Sequence, residues 1–552
     1  MMKVKLKFVW LSLIFINLLL LGMWGCEKDM NQSGSSMKVY HISLKDLDIG
    51  EQMLVKSLQG LFNRKIEEGN KELPMIYTFI RTSDYKWYED YKDNYPLSSE
   101  LKTIVSLIYD ADAYADGYVL WDTARPWTLT IAFTYAAQFN ALILTPQLAD
   151  QLHINKKLLM DFTQDKWYYP TIDSGQVQNI SGKAEGYAWA LERLLAGCDM
   201  TRLVYLRDDI PDLKDFIIFK KLFAINLDPL NNTDEINLLK QILLKYPPEI
   251  QVLGWADASY ATQPGQDNVT VEKALVTLLS ENNDFLLPAD FANNLSFHGL
   301  FQPPTKLEQE EQSGIYEKGK KYACFIVSDG DNLQYDFNHM RTVLWEHSKR
   351  GKYPLGWTLA PTLVHYAPFI AWYYYNSAAE SGFNDTFITG PSGYAYVHPS
   401  SLDEANLLAF IDLTAEAMKN MDMSCMVTID SRGKESTTYQ KFAENSDIKG
   451  VFMVEPDHAY YPPGRSHVFS TDTHDMGYIV EAVRASKQTA NDLTNEIKIA
   501  AQKYPFVMVY VHAWDNNFDA VFETIKNLQS SGEFEVVGPY QFMDCLIQYK
   551  KQ

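Results

Sequence analysis

The sequence predicts an α/β protein in which small α/β modules precede a C-terminal (β/α)-barrel-like domain of seven or eight strands. Short apolar runs alternate with stretches of helical spacing along most of the chain. The 552 residues are 46% hydrophobic and 13% aromatic, which provides enough apolar surface for several packed cores. In roughly the last 240 residues, most of the strand-like runs are followed by a polar loop and a helical stretch.

Residues 1–25 resemble the signal peptide of a bacterial lipoprotein. Three lysines within the first seven residues precede an apolar run, residues 8–24, which is shorter than the ~20 residues of a typical transmembrane helix. The run is followed by Gly25-Cys26, and a small residue directly before a cysteine resembles a lipoprotein cleavage site. We therefore expect a lipid on Cys26, a polar tether over residues 26–37, and a lipid-anchored location in the bacterial cell envelope, facing the periplasm or the cell surface. An uncleaved signal anchor is the alternative.

The charge of the chain argues against several classes of partner. The net charge is −21, from 49 basic and 70 acidic side chains, and cleavage of the signal peptide removes three of the lysines. Such a surface repels nucleic acid and anionic lipid, so we expect no nucleic-acid partner and membrane contact through the lipid anchor only. The sequence also lacks a P-loop, an HExxH pair and a GxGxxG stretch after a strand, the usual signatures of nucleotide and zincin chemistry.

The remaining cysteines do not suggest a disulfide scaffold or a metal site. Four cysteines in a chain of this length show no CxxC spacing. Cys324 and Cys425 lie within strand-like runs, which predicts buried free thiols.

The N-terminal half divides into two predicted regions. Residues 38–150 form an α/β module with a helix over 50–64 and strands at Val39–Ser43, Met75–Ile80, Tyr118–Trp121 and Ala141–Thr145. Residues 151–312 form a second α/β region with strands at Arg202–Leu206, Gln251–Trp255 and Asp284–Pro288. Its polar end, Gln302–Gln312, is predicted to be a linker.

Residues 313–552 form the predicted barrel-like catalytic domain. Its strands are expected at Tyr322–Ser328, Leu355–Leu359, Thr386–Thr389, Cys425–Ile429, Val451–Val454, Phe506–Val511 and Glu535–Val537. In a parallel barrel the loops that follow the strands lie on one face, where the active sites of such barrels are found. The side chains of these loops should therefore line one pocket.

The strand-end loops are rich in carboxylates, imidazoles and aromatic rings. Aromatic faces stack on sugar rings, polar side chains bind hydroxyls, and paired carboxyls can protonate a glycosidic oxygen and attack or stabilise the anomeric carbon. We therefore expect a carbohydrate substrate. The candidate residues are Asp329, Asp331, Asn332, Tyr394, Tyr396, His398, Asp430, Arg432, Glu455, Asp457, His458, His512, Trp514 and Asp515.

The stretch Ser392–Pro399, which reads Ser-Gly-Tyr-Ala-Tyr-Val-His-Pro, resembles the signature of the GxGYxYP family, whose expected activity is glycoside hydrolysis. Leu58–Arg64, Asp290–Ser296 and Ser328–Asn332 also resemble stretches of that family. The resemblance covers nearly the whole mature chain and implies several small α/β modules followed by a barrel-like domain. The signature loop is degenerate, because Pro391 replaces its first glycine and Val397 replaces its proline.

Three carboxyl groups are the predicted catalytic residues. Glu455 follows the apolar run Val451–Val454, and apolar walls would raise its pKa and suit it to donate a proton. Asp329 and Asp331 lie in a more polar turn and should stay ionised, as a nucleophile or base must. We expect no cofactor, and a divalent cation bound near these two aspartates is the alternative interpretation of the turn. The N-terminal modules are expected to shape the cleft or to bind glycan.

Two other functions fit parts of the pattern. A metal-dependent carbohydrate deacetylase would need a His-xxx-His pair one strand after its aspartates, whereas His365 stands alone. A group of potential metal ligands, His467, Asp472, His474 and Asp475, lacks diagnostic spacing. A non-catalytic glycan-binding lipoprotein would use the aromatic residues without paired acids.

Overall fold

The computed structural model describes residues 36–111, 113–168, 177–310, 312–330, 332–380, 382, 384–430, 435–514 and 517–552. Over these residues the chain forms three small parallel sheets, one short hairpin and a ten-stranded, mainly parallel sheet. The small sheets and the hairpin lie in the N-terminal half and the large sheet in the C-terminal half. The α/β fold class is therefore confirmed.

The first module is a three-stranded parallel sheet with helices. Its strands β1 (Met37–Ser43), β2 (Met75–Phe79) and β3 (Leu97–Leu101) are arranged in the order β2-β1-β3, and its helices span Ile49–Glu67, Thr82–Asn94 and Ile104–Ala111. The first helix begins with a reciprocal cap, in which the Asp48 carboxylate accepts the Glu51 amide at 2.9 Å and the Glu51 carboxylate accepts the Asp48 amide at 3.0 Å. The sequence pattern does not predict β3, because this exposed edge strand reads Leu-Ser-Ser-Glu-Leu.

Two further modules follow. The second contains β4 (Gly117–Leu120), β5 (Ala141–Leu144) and β6 (Leu158–Asp161) in the order β5-β4-β6, the hairpin of β7 (Lys166–Tyr168) and β8 (Val177–Asn179), and helices Trp127–Phe139, Pro146–Gln151 and Lys183–Arg193. The third contains β9 (Asp199–Tyr205), β10 (Leu222–Ile225), β11 (Gln251–Gly254) and β12 (Phe285–Pro288) in the order β10-β9-β11-β12, with helices Lys214–Lys220, Thr233–Leu243, Asn268–Glu281 and Leu295–His298.

The N-terminal half thus has three sheets where the sequence pattern predicts two regions. The strands β4 and β5, expected in the first module, pair with each other and with β6, and not with β1 or β2. Strand pairing depends on contacts between distant parts of the chain, which a local apolar pattern does not report.

A buried lysine joins the first and third modules. Lys56 lies on the first helix and is fully buried. Its Nζ donates to Asn293 Oδ1 at 2.6 Å, to Gln59 Oε1 at 2.7 Å, and to Asp215 Oδ1 at 3.3 Å. Asp215 is also fully buried, so each charge depends on the other for compensation.

The family-like stretches Leu58–Arg64 and Asp290–Ser296 contribute to the same junction. Asn63 Nδ2 donates to Ser296 Oγ at 2.9 Å, and the guanidinium of Arg64 donates to two backbone carbonyls, those of Ala137 and Ile218. These polar side chains are buried and hydrogen-bonded between modules. In this chain, side chains of both stretches therefore contribute to module docking.

The C-terminal domain is built on the large sheet. Its strands are β13 (Lys321–Ser328), β14 (Leu355–Leu359), β15 (Asp385–Thr389), β16 (Cys425–Thr428), β17 (Gly450–Met453), β18 (Ser466–Ser470), β19 (Asp475–Val480), β20 (Val483–Ala485), β21 (Phe506–His512) and β22 (Phe534–Val536). A π-helix spans Tyr335–Leu344, and α-helices span Leu363–Tyr366, Pro368–Glu380, Glu404–Asn420, Glu435–Phe442, Ala490–Lys503, Phe518–Ser530 and Pro539–Lys550.

The large sheet curls because one continuous stretch of chain, β19 and β20, pairs with strands on two sides of the sheet. β19 pairs with β17, and β20 pairs with β21, with only two residues between β19 and β20. In that gap the Glu481 amide donates to the Met453 carbonyl at 2.9 Å, and the Ala482 amide donates to the Met508 carbonyl at 3.0 Å. The curled, mainly parallel sheet agrees with the predicted architecture, and the count of seven or eight barrel strands stays a prediction.

Two C-terminal segments differ from the sequence interpretation. The stretch that holds the potential ligands His467 and Asp475 forms the antiparallel hairpin β18–β19, which the pattern does not predict. The predicted linker packs against the large sheet, because Gln309 Nε2 donates to the Phe387 carbonyl at 3.0 Å.

The inner face of the curled sheet is an apolar core. Alternate residues of β13, such as Cys324 and Ile326, contact Met508 of β21 and the last helix, Pro539–Lys550, in one buried cluster. Met543 of this helix lies close to Gly450, the first residue of β17, so the helix packs where strands begin. The polar loops at the opposite ends of the strands are not covered by this helix and can form a site. The predicted burial of the free thiols Cys324 and Cys425 is confirmed.

Across the described residues, none of the helices is both long and apolar enough to span a membrane.

Candidate active site

Carboxyl groups from several strand ends meet at one end of the curled sheet. Asp329 directly follows β13, and Glu455 lies two residues after β17. Glu481 lies between β19 and β20. The Glu455 amide donates to Glu481 Oε2 at 3.3 Å, and the charge of Glu455 raises the pKa of Asp329.

The turn that holds Asp329 is tightly fixed. The amides of Asp329 and Gly330 donate to Thr358 Oγ1 of β14 at 3.2 Å and 2.8 Å. A Cβ on Gly330 would lie 2.0 Å from the Thr358 carbonyl oxygen, so only glycine fits there. Asp329 has a φ of +148°, a conformation rarely adopted by residues with a side chain. The indole of Trp514 donates to Asp329 Oδ2 and helps to orient the carboxyl group.

The surroundings of Asp329 favour its protonated form. Exclusion of water by the surrounding protein raises the pKa of Asp329 to about 7, although the group keeps some contact with solvent. The hydrogen bond from Trp514 opposes this effect, and the charges of Glu455 and Glu272 add to it. This shift runs against the expectation that Asp329 stays ionised in a polar turn, because dense protein and two neighbouring acids surround the carboxyl group.

Glu455 has polar neighbours in place of the expected apolar walls. Its side chain is 37% exposed. Tyr510 Oη donates to Glu455 Oε1 at 3.2 Å, and the Arg484 guanidinium lies 3.4 Å from the same oxygen. Arg484 also pairs with Glu481 at 3.1 Å and lies over the Tyr510 ring. These are donors that a carboxylate accepts, so the environment of Glu455 suits a charged group.

Aromatic side chains border the acids. The Trp514 ring is 45% exposed and lies 4.5 Å from the His339 ring, centroid to centroid. The ring of His512, at the end of β21, lies 5.9 Å from that of Tyr510. An exposed indole beside a carboxyl group is a suitable surface for a sugar ring.

The third module forms another wall of the site. Tyr396 Oη donates to Glu272 Oε1 at 2.6 Å, and the Tyr396 amide donates to the Leu286 carbonyl of β12 at 2.8 Å. The Trp255 ring, just after β11, is nearly parallel to the Tyr396 ring, with centroids 6.2 Å apart. His398 lies beside the same tyrosine, at 5.9 Å between ring centroids. The signature loop therefore connects the large sheet to the third module.

Glu272 is a site residue that sequence reasoning does not identify. It lies within the helix Asn268–Glu281, where a glutamate resembles any solvent-facing residue. Burial raises the pKa of Glu272, the hydrogen bond from Tyr396 lowers it, and the charge of Glu455 raises it further. The only sequence signal nearby is Trp255 at the end of a strand.

Several predicted site residues have structural contacts instead. Tyr394 packs against Phe285 of the third module, and burial followed by the nearby Tyr366 raises its pKa. Asp430 is 1% exposed and accepts the Ser400 amide at 3.2 Å. Asn332 Oδ1 accepts the Tyr335 amide at 3.2 Å, at the start of the π-helix. These contacts are structural, and the predicted role of the three residues in substrate binding stays a prediction.

The loop after Glu455 is exposed. Asp457 accepts the Ala459 amide at 3.0 Å within a turn, and His458 Nδ1 lies 3.4 Å from the Tyr461 carbonyl oxygen. Their predicted role in substrate binding stays a prediction. Cys26, Asp331, Arg432 and Asp515 lie outside the described residues, so the predictions for them also stand as made.

Potential metal ligands are dispersed in the part of the chain that the structure describes. No group of three or more His, Cys, Asp or Glu side chains there is placed to hold a metal ion. Asp475 pairs with Lys551, and His467 Nε2 accepts a hydrogen bond from Arg465 at 2.9 Å. His365, the histidine considered for a deacetylase, has a pKa lowered by burial and then by Arg202.

Four family models match the chain in order. The GxGYxYP_N 1st domain matches residues 38–113, the GxGYxYP_N second domain 115–199, and the GxGYxYP third domain 201–299. The description "GxGYxYP putative glycoside hydrolase C-terminal domain" belongs to the model that matches residues 319–546. The chain belongs to the GxGYxYP family. The resemblance seen at Ser392–Pro399 is thus confirmed despite the degenerate loop.

A solved structure with a similar chain trace supports the fold of this family member. The crystal structure of a "putative hydrolase" from Bacteroides thetaiotaomicron is 19% identical, with a TM-score of 0.75 over 93% of this chain and 95% of that one. A mutant of the peptidoglycan deacetylase PdaC from Bacillus subtilis is 12% identical and has a TM-score of 0.26 over 42% of this chain and 95% of its own, which is too low to indicate a shared fold. Comparison with curated proteins gave no match.

Proposed function

We propose that this GxGYxYP protein hydrolyses glycosidic bonds in an oligosaccharide or polysaccharide. One observation carries the proposal: Asp329 and Glu455 lie at the ends of two strands of one curled sheet and influence each other electrostatically, yet have unlike surroundings. Two carboxyl groups whose environments differ in this way are what acid and base roles at a glycosidic bond require.

The surroundings assign a role to each carboxyl group. Asp329, with a pKa of about 7, holds the proton that the leaving oxygen takes up. Glu455, beside Arg484 and Tyr510, acts as the nucleophile or as the base that activates water. Asp331, two residues beyond Asp329, stays a candidate for the second role. This assignment exchanges the roles that the sequence suggests for Asp329 and Glu455.

Substrate contacts follow from the exposed rings and donors. Trp514 offers an exposed face beside Asp329, and Tyr396, a largely buried ring of the signature loop, is bonded to Glu272 of the third module at the edge of the site. Together with His398 and His512 they would hold a sugar ring between the acids. The paired acids favour hydrolysis over capture of glycan without turnover.

Glu455→Gln should lower kcat by about 10²–10⁴-fold, because glutamine keeps the size of the side chain but can neither attack the anomeric carbon nor accept a proton. The loss should persist on aryl glycosides with good leaving groups, since leaving-group protonation does not require Glu455. The measurement is steady-state hydrolysis of a panel of aryl glycosides and reducing-end release from polysaccharides. Glu523→Gln, on the surface helix Phe518–Ser530, is the matched control and should retain parental activity. Parental activity in Glu455→Gln would remove Glu455 from the mechanism.

We also propose that the mature protein is held in the cell envelope by lipid on Cys26. Cys26→Ser should move the protein from the membrane to the soluble fraction and abolish labelling by a palmitate analogue. Cys198→Ser, which replaces a buried thiol, should leave both unchanged. Membrane retention of Cys26→Ser without lipid label would contradict the proposal.

A further inference from the structure

We propose that Glu272 of the third module is a positioning residue of the active site, which holds Tyr396 in place at the site and adds negative charge beside Glu455. The inference rests on the proposed function for its substrate class, a pyranose ring bound between the signature loop and the acids. It places part of the site on the third module, outside the domain described as a glycoside hydrolase.

The geometry fixes Tyr396 at two points. Its amide donates to the Leu286 carbonyl of β12, and its hydroxyl donates to Glu272 at 2.6 Å. Both partners belong to the third module, whereas the tyrosine belongs to the loop after β15. The direction of the ring is therefore set by the carboxylate that its hydroxyl reaches. Trp255 lies nearly parallel to this ring and supports it from the same module.

The Glu272 carboxyl group is bound by the hydroxyl of Tyr396. Among the described residues, no lysine or arginine nitrogen lies within 4.0 Å of its carboxylate. Glu455 and Glu481 share Arg484, so the group of acids carries more negative than positive charge. Accumulated like charge destabilises a fold and is characteristic of functional sites. At a glycosidic bond it stabilises the positive charge that develops on the sugar ring.

The charge of Glu272 also bears on the proton of Asp329. The groups that face Asp329 are Glu455, Glu272 and Trp514, together with Tyr510 of β21 and two residues of the π-helix region, Tyr335 and Asp336. Burial raises the pKa values of both tyrosines and of Asp336. Removal of the Glu272 charge should therefore lower the pKa of Asp329.

A pair of substitutions separates the two roles. Glu272→Gln removes the charge but can still accept the Tyr396 hydroxyl, whereas Glu272→Asp keeps the charge but is one methylene too short to hold the ring. Glu281→Gln, at the exposed end of the same helix, is the control. The pKa of Asp329 is read from the pH dependence of Trp514 fluorescence, taken as the difference from a Trp514→Phe variant, which requires no substrate.

We expect Glu272→Gln to move the fluorescence midpoint to lower pH by about half a unit, with Glu272→Asp and Glu281→Gln near the parental value. On the aryl glycoside that the parent cleaves best, Glu272→Asp should raise KM about five- to tenfold, the loss of one hydrogen bond, with KM of Glu272→Gln unchanged. A midpoint that Glu272→Gln leaves in place would overturn the inference. If the unsubstituted protein cleaves no glycoside, the proposed function is wrong. The fluorescence midpoint would still show whether the charge of Glu272 affects the pKa of Asp329.

Discussion

Asp329→Asn is expected to lower kcat on polysaccharides by about 10²–10⁴-fold, because asparagine accepts the Trp514 hydrogen bond but has no proton to donate to the leaving oxygen. The loss should shrink on aryl glycosides with good leaving groups, which depart with little protonation. This dependence on the leaving group is opposite to that expected for Glu455→Gln. Equal losses for both variants on all substrates would contradict the assigned roles.

The same variant has an expected effect on stability. The pKa of Asp329 is about 7 in the folded protein and about 4 in the unfolded chain, so the folded state binds its proton more tightly. Stability from this group is complete below pH ~4 and is lost as pH rises to ~7. Asp329→Asn should therefore gain stability over the parent progressively across that window, measured as a higher melting temperature at pH 8 than the parent has. A difference that is the same at pH 4 and pH 8 would show that Asp329 titrates normally.

Lys56→Met is expected to be the most destabilising single change at the junction of the N-terminal modules. It leaves Asp215 fully buried without a cation and leaves Asn293 Oδ1 without its 2.6 Å donor. Breaking a buried ion pair by removal of one partner costs about 3–5 kcal/mol in the free energy of unfolding. The measurement is urea unfolding followed by tryptophan fluorescence.

A matched variant tests the reason for that loss. Lys65 lies on the same helix and pairs with Glu68 at the surface at 2.8 Å, so Lys65→Met should cost less than about 1 kcal/mol. Similar losses for the two variants would mean that the helix itself, and not the buried junction, is sensitive to substitution.

The fold was predictable where a strand is recognisable from its own apolar sequence. β13 and β21 are long apolar runs, and both lie where the pattern places them. The hairpin β18–β19 was not predictable, because its strands contain His467 and Asp475 and are stabilised by pairing with each other and with β17. From the sequence alone, a group of potential metal ligands cannot be distinguished from a polar strand.

The site was predictable only in part, for a similar reason. The strand-end rule locates Asp329 and Glu455, since both follow apolar strands. Their different surroundings come from Arg484, which contacts Glu455 and whose strand β20 has only three residues, and from Glu272, which acts on Asp329 from another module. Electrostatic surroundings are a property of the assembled molecule, so the two roles could not be assigned from the sequence.

The backbone contact between Leu286 and Tyr396 has a consequence for how substrate preference can change in this family. One wall of the cleft is formed where the third module docks on the C-terminal domain. The Glu272 side chain in this wall belongs to a helix that ends before the C-terminal domain begins. A fragment that starts near Gly314 would keep the curled sheet and its acids but would lack the wall formed by the third module. Under the proposed function, exchange of the third module between relatives would change one wall of the cleft and the residue at position 272 together, and so would alter both glycan choice and the pKa of Asp329.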